Sequence, residues 1–571
     1  MSDSLMKSTL SFLENQGLKS VEERLKIGPL EALLAQRTLN CLDEALQLKG
    51  VKEIGDTEKR DSLLLFLKYL FAALRLGHLG VRLEPFLPGV QSVWKNAVEL
   101  SQEDQQRVCV CLEKGLGQVR VYQEDMGLTL NHGVLTTRAC IELEKELAFL
   151  IERLLDLSIP TQKNYEAEEI SALHKEQLKA IEAPLKTPFF ILTGGPGTGK
   201  THTILNLIKA HKPSRCLMLA PTGKAAMQMQ ERLDPVCTHF KEKLGIDLEV
   251  LTLHKALGIT PNKKDPIPLE ADLVIVDEAS MIDAVAMRSL FIALGDQTRL
   301  VLIGDPKQLP SVESGSIFSD LVDLIRKKAP EKIAHLEVCH RVESLELLEF
   351  AQAVALGDIQ IVNKVFDEKG AEASKTALHV LEDLDPQLFA LRFFGKDFTN
   401  PQEAYTAFKQ FRMLCPLRRK KGADYINQEL LAHLRKTKET FFIPIIITRS
   451  SGCFVNGQMG VIHIKKETLF SENKAYFEDK SGQFQDYSVC HLPGFDIAFC
   501  LSVHKSQGSE FDEVLLLMPQ GSQAFGIKAL YTAVTRAKKR LFLSGEKETY
   551  LAAMEIKGER VSLLKHFLGC E

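Results

Sequence analysis

An α/β fold organised around a phosphate-binding loop is predicted by three features of the sequence. Short apolar runs recur ahead of glycine-rich or acidic turns, most of those turns open onto helical patterns, and the turn after Phe189–Leu192 has the spacing G-x-x-x-x-G-K-[ST]. The segment reads Pro188-Phe189-Phe190-Ile191-Leu192, then Gly194-Gly195-Pro196-Gly197-Thr198-Gly199-Lys200-Thr201, then the helical-looking Ile204 to Ile208. Glycines let backbone N–H groups turn inward around phosphate oxygens, and the start of the next helix adds a positive dipole end at the same place. Lys200 would reach the β and γ phosphates of a nucleotide, while the Thr201 hydroxyl would ligate Mg²⁺.

Ahead of this loop, residues 1–160 carry leucines at three- and four-residue steps (Leu30, Leu33, Leu34; Leu143, Leu147, Leu150, Leu154), the period of a mostly helical domain. One hairpin is expected there, with Gln118–Tyr122 facing Gly133–Thr137. His78 and Trp94 read as packing residues, and the region reads as a docking domain by elimination. Ser158-Ile159-Pro160-Thr161 fits a linker. Gln177 comes next, in a helical stretch before the loop, where an amide that both donates and accepts could read an adenine edge; elsewhere a helical Gln is simply solvated.

Beyond the loop, Cys216–Leu219 is a second strand, followed by Ala220-Pro221-Thr222-Gly223-Lys224. That turn is either plain surface or a phosphodiester contact made by Thr222 and Lys224. Thr252, His254 and Lys255 bring hydroxyl, imidazole and ammonium together again, before a short insertion near 260–270. The strand Leu273–Val276 ends in Asp277-Glu278: one carboxylate to hold Mg²⁺, the next to orient and deprotonate an attacking water. Leu300–Ile303 leads to Gly304-Asp305-Pro306-Lys307-Gln308, where Gln308 can contact a γ phosphate and the water. Arg341 stands where it could reach across a cleft.

In the second half, Phe411–Cys415 is a strand followed by the basic run Arg418–Lys421, a solvated face or a backbone contact. Residues from about 440 to 495 alternate and turn like a small inserted β module that includes Asn456. An α/β pattern resumes with Cys500-Leu501-Ser502-Val503-His504-Lys505 and closes with Arg536, which could insert into the nucleotide as an arginine finger does. The nearest acidic-basic cluster, Glu478-Asp479-Lys480, lacks the strand pattern a nuclease site would need.

Composition bounds these readings. At 571 residues, with a prior of ~100–200 per domain, three or four domains are expected. A net charge of −4 gives no global basic field, so any nucleic-acid site is a local patch. The 12 cysteines show no repeated C-x-x-C and no secretory leader precedes them, which points to a reduced cytoplasmic interior and away from zinc. The most apolar segment, Leu63–Leu76, contains Lys68 and Arg75 and falls short of the ~20 residues a bilayer needs, so no membrane association is expected.

Taken in order, GGPGTGKT, APTGKAA, TLHKALG, IVDEASM, GDPKQLPSV, VHKSQGSEF and YTAVTRAKK resemble the successive motifs of the superfamily 1 helicases, and within them the RecD type, over residues 170 to 545. The resemblance implies two RecA-like P-loop motor domains (161–345 and 346–571), a helical amino-terminal domain (1–160) and an SH3-like insertion near 440–495. It also implies ATP with Mg²⁺ between the motors, single-stranded DNA across their tops, 5′→3′ movement, and RecB and RecC as partners in double-strand break processing. Gln177 falls on the adenine motif, Gly197, Gly199, Lys200 and Thr201 on the phosphate loop, Asp277 and Glu278 on the Mg²⁺ and water motif. Gln308 falls on the γ-phosphate sensor, Arg341 and Arg536 on the two trans arginines, and Thr222, Lys224, Thr252, His254, Asn456, His504 and Lys505 on motifs that track DNA. Two other readings stand beside a subunit of that assembly: a free-standing helicase of the same type, and a regulatory subunit with a vestigial motor.

Overall fold

A computed structural model describes residues 134–160, 174–337, 344–367 and 377–569, apart from stretches of one to three residues inside these spans, with strands 81–82 and 128–131 and scattered residues between 35 and 79. In the amino-terminal part, β1 (Val81–Arg82), β2 (Leu128–Asn131) and β3 (Val134–Thr137) form an antiparallel sheet in the order β1-β3-β2. The expected hairpin is corrected here. Asn131 pairs with Val134, the spacing of the tightest hairpins, and Val134 and Leu135 have β2 on one side and β1 on the other. Gln118–Tyr122 and Trp94 lie outside the described residues, as does most of the expected helical region. Thr137 then caps helix α1 (Arg138–Asp156), its hydroxyl accepting from the Cys140 N–H at 3.3 Å.

The first α/β unit comes next in the chain. Helix α2 (Lys175–Glu182) precedes six strands: β4 (Phe189–Gly194), β5 (Arg215–Ala220), β6 (Asp247–Thr252), β7 (Leu273–Val276), β8 (Arg299–Gly304) and β9 (Ile333–Leu336). They form one parallel sheet in the order β6-β5-β7-β8-β4-β9. Helices α3 (Lys200–His211), α4 (Gly223–Leu244), α5 (Ala284–Ala293) and α6 (Ile317–Lys328) connect them. Every residue of β4, β7 and β8 is buried, which is why these segments read as unbroken apolar runs rather than alternating ones. With β8 between β7 and β4, three carboxyl ends meet at one edge of the sheet, the place where open parallel sheets bind ligands.

A second parallel sheet takes strands β10 (Leu378–Val380) and β11 (Phe411–Cys415). An antiparallel sheet interrupts it: β12 (Thr440–Ile447), β13 (Met459–Lys465), β14 (Lys474–Glu478), β15 (Phe484–Ser488) and β16 (Phe495–Ile497), in the order β15-β14-β13-β12-β16. Then β17 (Cys500–Ser502), β18 (Phe511–Leu517) and β19 (Ala537–Ser544) complete the order β10-β19-β18-β11-β17. Arg412 in β11 is wholly buried and donates to the carbonyls of Ala498 and Phe408, with its guanidinium over the Phe511 ring, so the join between the two sheets is held by an interior cation. Helices α7 (Gly526–Val534) and α8 (Lys547–Glu555) pack beside it. Among the described residues no helix is long and apolar enough to cross a membrane.

Past α8 the chain crosses back to the first unit. Leu564 and Leu568 share one apolar cluster with Leu147, Ile151 and Leu154 of α1 and with Met287, Leu290 and Phe291 of α5. Glu144 of α1 accepts from Ser562 Oγ and from the Leu563 N–H, each at 2.7 Å, and Lys565 pairs with Asp323 at 2.6 Å and with Asp320 at 3.4 Å. Burial raises the Glu144 carboxyl to about 7; its hydrogen bonds oppose that rise and Asp320 adds to it. A carboxyl with a raised folded pKa favours the fold while protonated, so its contribution is full below the ordinary 4.5 and is lost as pH rises through about 7. The loss amounts to ~3 kcal/mol at most. Melting profiles across that range should fall with pH for the wild type and flatten in Glu144→Gln; parallel profiles would disprove the assignment.

Candidate nucleotide site between the two sheets

Gly194 ends β4 and the chain turns through Gly195 and Pro196 into α3. Gly197 and Gly199 have φ of 77° and 82°, the left-handed region, which is what wraps the loop amides toward one point. Thr198 is buried, with its hydroxyl donating to the Gly195 carbonyl at 2.9 Å. Lys200 Nζ donates to the carbonyls of Gly194 at 2.7 Å and Gly195 at 2.9 Å, so the ammonium lies over the loop it serves. Thr201 stands in the first turn of α3, half-buried.

At the end of β7, Asp277 Oδ1 accepts from the Glu278 N–H at 2.8 Å. Glu278 itself has φ 52° and ψ 39°, a left-handed conformation that costs a non-glycine residue ~1–3 kcal/mol and survives only where its surroundings impose it. Burial first, then Asp277 and Asp305, push the Glu278 carboxyl above the usual carboxylate range; Arg536 and Lys200 pull the other way. Five charged groups from three strand ends and from the second unit therefore share one site. The Thr201 hydroxyl and the Asp277 carboxylate are hard oxygen donors of the kind Mg²⁺ takes, so the residues present fit that ion.

The second unit reaches this site through α7, Arg536 two residues beyond it, and Gln507. Arg536 is 2% exposed; its Nη2 donates to Gln308 Oε1 at 3.1 Å, while Nε and Nη1 hold the carbonyls of Thr532 and Ser509. Tyr531 donates to Asp305 Oδ2 at 2.9 Å, the Leu309 N–H donates to Thr532 Oγ1 at 2.8 Å, and Gln507 Nε2 donates to the Leu309 carbonyl at 2.9 Å. A cavity of about 820 Å³ opens between the units, lined in part by Gly195, Pro196, Thr198, Asp305, Tyr531 and Thr535. Sequence reasoning missed Asp305, Gln507, Tyr531 and Thr532. All four sit inside the quoted motifs, but only the fold reveals that they face one another.

The remaining candidates lie in several parts of the two units. Gln177 is buried in α2 and its Oε1 accepts from the His174 N–H at 3.1 Å, so half of its amide serves the helix start. Thr222 and Thr252 cap helices, accepting from the N–H groups of Ala225 at 3.2 Å and Lys255 at 3.3 Å. His254 and Asn456 are exposed, and His504 is partly buried. Lys505 pairs with Asp496. Lys224 is the unusual one: it is 8% exposed, its Nζ has no hydrogen-bond partner among the described residues, and Gly457 packs on its stem. Burial, with Arg412 and Arg536 adding, holds its ammonium down to about 7. Arg341 and Lys480 lie outside the described residues.

Comparison with known proteins picks out the same segments. Residues 177–314 match an AAA domain, and residues 497–544 match a UvrD-like helicase C-terminal domain. The chain is 32% identical over 426 residues to the RecBCD enzyme subunit RecD of Mycolicibacterium smegmatis, covering 68% of this chain and 74% of that one. It is 28% identical over 476 residues to the RecBCD enzyme subunit RecD of Haemophilus influenzae, covering 69% and 72%. It is 26% identical over 465 residues to the ATP-dependent RecD2 DNA helicase of Deinococcus radiodurans, covering 74% of this chain and 57% of that one. A relative matched at 32% identity through most of its own length settles the kinship: the chain belongs to the RecD family.

Proposed function

We propose that this chain is an ATP-dependent DNA helicase: the 5′→3′ single-stranded DNA motor of a RecBCD-type assembly, working with RecB and RecC in double-strand break processing. The observation that carries this reading is the Arg536–Gln308 hydrogen bond, which joins the two units beside Glu278. An arginine of one unit on the γ-phosphate sensor of the other makes hydrolysis depend on how the units sit together. The two parallel sheets serve as the two RecA-like motors, with the antiparallel sheet as an SH3-like insertion in the second.

The placed groups supply the chemistry. Lys200 exchanges the carbonyls of Gly194 and Gly195 for phosphate oxygens, and the amides between Gly197 and Thr201 cradle the rest. Mg²⁺, held by Thr201 and Asp277, would neutralise charge on the phosphates. Glu278 orients the attacking water and takes its proton, a task suited by a pKa above the ordinary carboxylate value. Gln308 positions that water, and Arg536 stabilises charge that develops on the γ phosphate.

Coupling runs through the segment from Asp305 to Ser311. Gln308 touches the nucleotide side, and the next residue, Leu309, is held by Gln507, which comes just after the DNA candidates His504 and Lys505. A shift of the second motor on DNA therefore moves the water-positioning residue, and hydrolysis moves the second motor. Contacts to phosphates rather than bases imply little sequence preference.

Hydrolysis by the purified chain with and without oligo-dT tests this directly. Stimulation by oligo-dT that weakens steadily with added salt is expected; hydrolysis equally fast without DNA would overturn the motor reading. Co-elution with RecB and RecC would support the assembly, whereas an active chain indifferent to both would favour the free-standing alternative, to which the RecD2 relative lends weight. A vestigial motor is disfavoured by Lys200, Glu278 and Arg536 converging on one site.

A further inference from the structure

The residues after α8 do more than fill the core of the first unit. Arg560 spans the join between the units: Nη2 donates to the Ser311 carbonyl at 2.7 Å and Nη1 to the Gly315 carbonyl at 3.3 Å. Ser311 Oγ donates to the same Gly315 carbonyl at 3.2 Å. One guanidinium thus holds the carbonyls on both sides of residues 312–314, just beyond the Gln308 segment.

That segment is held along its length by the second unit and, at its far end, by the carboxyl-terminal crossover. Arg536 and Tyr531 hold its start at Gln308 and Asp305, Thr532 and Gln507 hold Leu309, and Arg560 holds Ser311. Arg560 itself is seated by its neighbours in sequence. The Val561 carbonyl accepts from the Leu79 N–H at 3.0 Å, the Val561 N–H donates to His78 Nδ1 at 3.1 Å, and Glu144 receives Ser562 and Leu563. On the side of the DNA candidates, His504 is the titratable group that feels its charge. Burial first and the Arg560 charge second hold the imidazoles of both His78 and His504 below their usual range, so neither competes with the guanidinium as a cation.

We infer that Arg560 is a positioning residue for DNA-dependent hydrolysis, anchoring the far end of the Asp305–Ser311 segment so that displacement at His504–Gln507 is delivered to Gln308. The inference rests on the motor reading above. Its physical basis is leverage. A segment pinned at Ser311 and pushed at Leu309 must move Gln308; the same segment with a loose end absorbs the push at Ser311. A guanidinium fork fixes two carbonyls at a set angle, whereas an ammonium offers a single point of attachment. The contacts of Gln308 with Arg536 and Asp305 do not involve Arg560, so hydrolysis without DNA keeps its machinery.

The experiment compares basal and oligo-dT-stimulated ATP hydrolysis in the full chain and in Arg560→Met, which keeps the buried stem and removes the fork, with Arg560→Lys as a partial rescue. In Arg560→Met we expect stimulated kcat to fall by roughly tenfold to a hundredfold, the scale of a small misplacement of a reacting group. Basal kcat and the KM for ATP should stay within about twofold, oligo-dT affinity by fluorescence anisotropy should persist, and Arg560→Lys should fall between. A stimulation ratio equal to wild type in folded Arg560→Met, or in folded Arg560→Lys where Arg560→Met does not fold, overturns the inference. Parallel loss of basal and stimulated rates also overturns it, since that is the signature of a merely structural residue. A wild-type chain that ignores oligo-dT overturns the motor reading, and this inference with it.

Discussion

Lys200→Ala should lower oligo-dT-stimulated ATP hydrolysis by about a hundredfold to a thousandfold, the range for removing one preorganised group aimed at developing charge. The expectation is specific because Lys200 is not structurally idle: its ammonium bridges the carbonyls of Gly194 and Gly195, at 2.7 and 2.9 Å. The positive φ of Gly197 and Gly199 does not depend on the Lys200 side chain, so the loop should keep its turn and the melting temperature should change little. Arginine at the same position carries charge but cannot lie in so short a turn, so Lys200→Arg should fail nearly as badly. Hydrolysis within a few-fold of wild type in folded Lys200→Ala would remove this loop from the reaction.

The second large effect is at Glu278. Glu278→Gln should cost about 10²- to 10⁴-fold in kcat, the contribution of a positioned general base, while nucleotide binding survives. Because the carboxyl must be ionised to take a proton, and because burial, Asp277 and Asp305 raise its pKa, kcat should fall with acidity at a pH above the ordinary carboxylate range. The direction is fixed: the base form exists above the folded pKa and is lost as pH drops through it. Neutralising Arg536 removes one of the two cations opposing that rise, so the acid limb of Arg536→Met should move to still higher pH. An acid limb unchanged in Glu278→Gln would assign the base elsewhere.

Much of this site was legible because its parts are local. An apolar run buried on both faces, as in Leu273–Val276, announces a central parallel strand, and the residues just past the carboxyl end of such a strand lie at the ligand edge. Asp277 and Glu278 could therefore be placed from sequence. The strain at Glu278 could not, since a left-handed glutamate looks like any other. Nor could the fate of Lys224: its Thr-Gly-Lys turn resembles an open phosphate contact until Gly457, far along the chain, is seen packed on its stem. The hairpin failed for a different reason. Gln118–Tyr122 alternates well enough to suggest a strand, but Leu128–Asn131 is the strand paired with Val134–Thr137. Arg412 hid in a strand pattern, because one buried guanidinium satisfied by the carbonyls of Phe408 and Ala498 leaves no signature in a run of apolar neighbours. The return of Leu564 and Leu568 to the first sheet joins residues separated by hundreds of positions, and no periodicity carries that information.

That return also governs how the protein is made. A ribosome releases the first sheet, β4 to β9, well before residues 564–568, yet Leu564 and Leu568 belong to its apolar cluster. At a synthesis rate of ~5–20 residues per second, the nascent first unit waits roughly ten to fifty seconds with part of its core open to water. Vectorial folding, in which each unit is finished as it emerges, would leave Leu564 and Leu568 out of the first unit's core. The first unit's apolar cluster is complete only once the second unit has been synthesised and the carboxyl-terminal segment has travelled back. The waiting surface is the one formed by α1, α5 and α6, and it is there that a holdase chaperone would find the chain during synthesis.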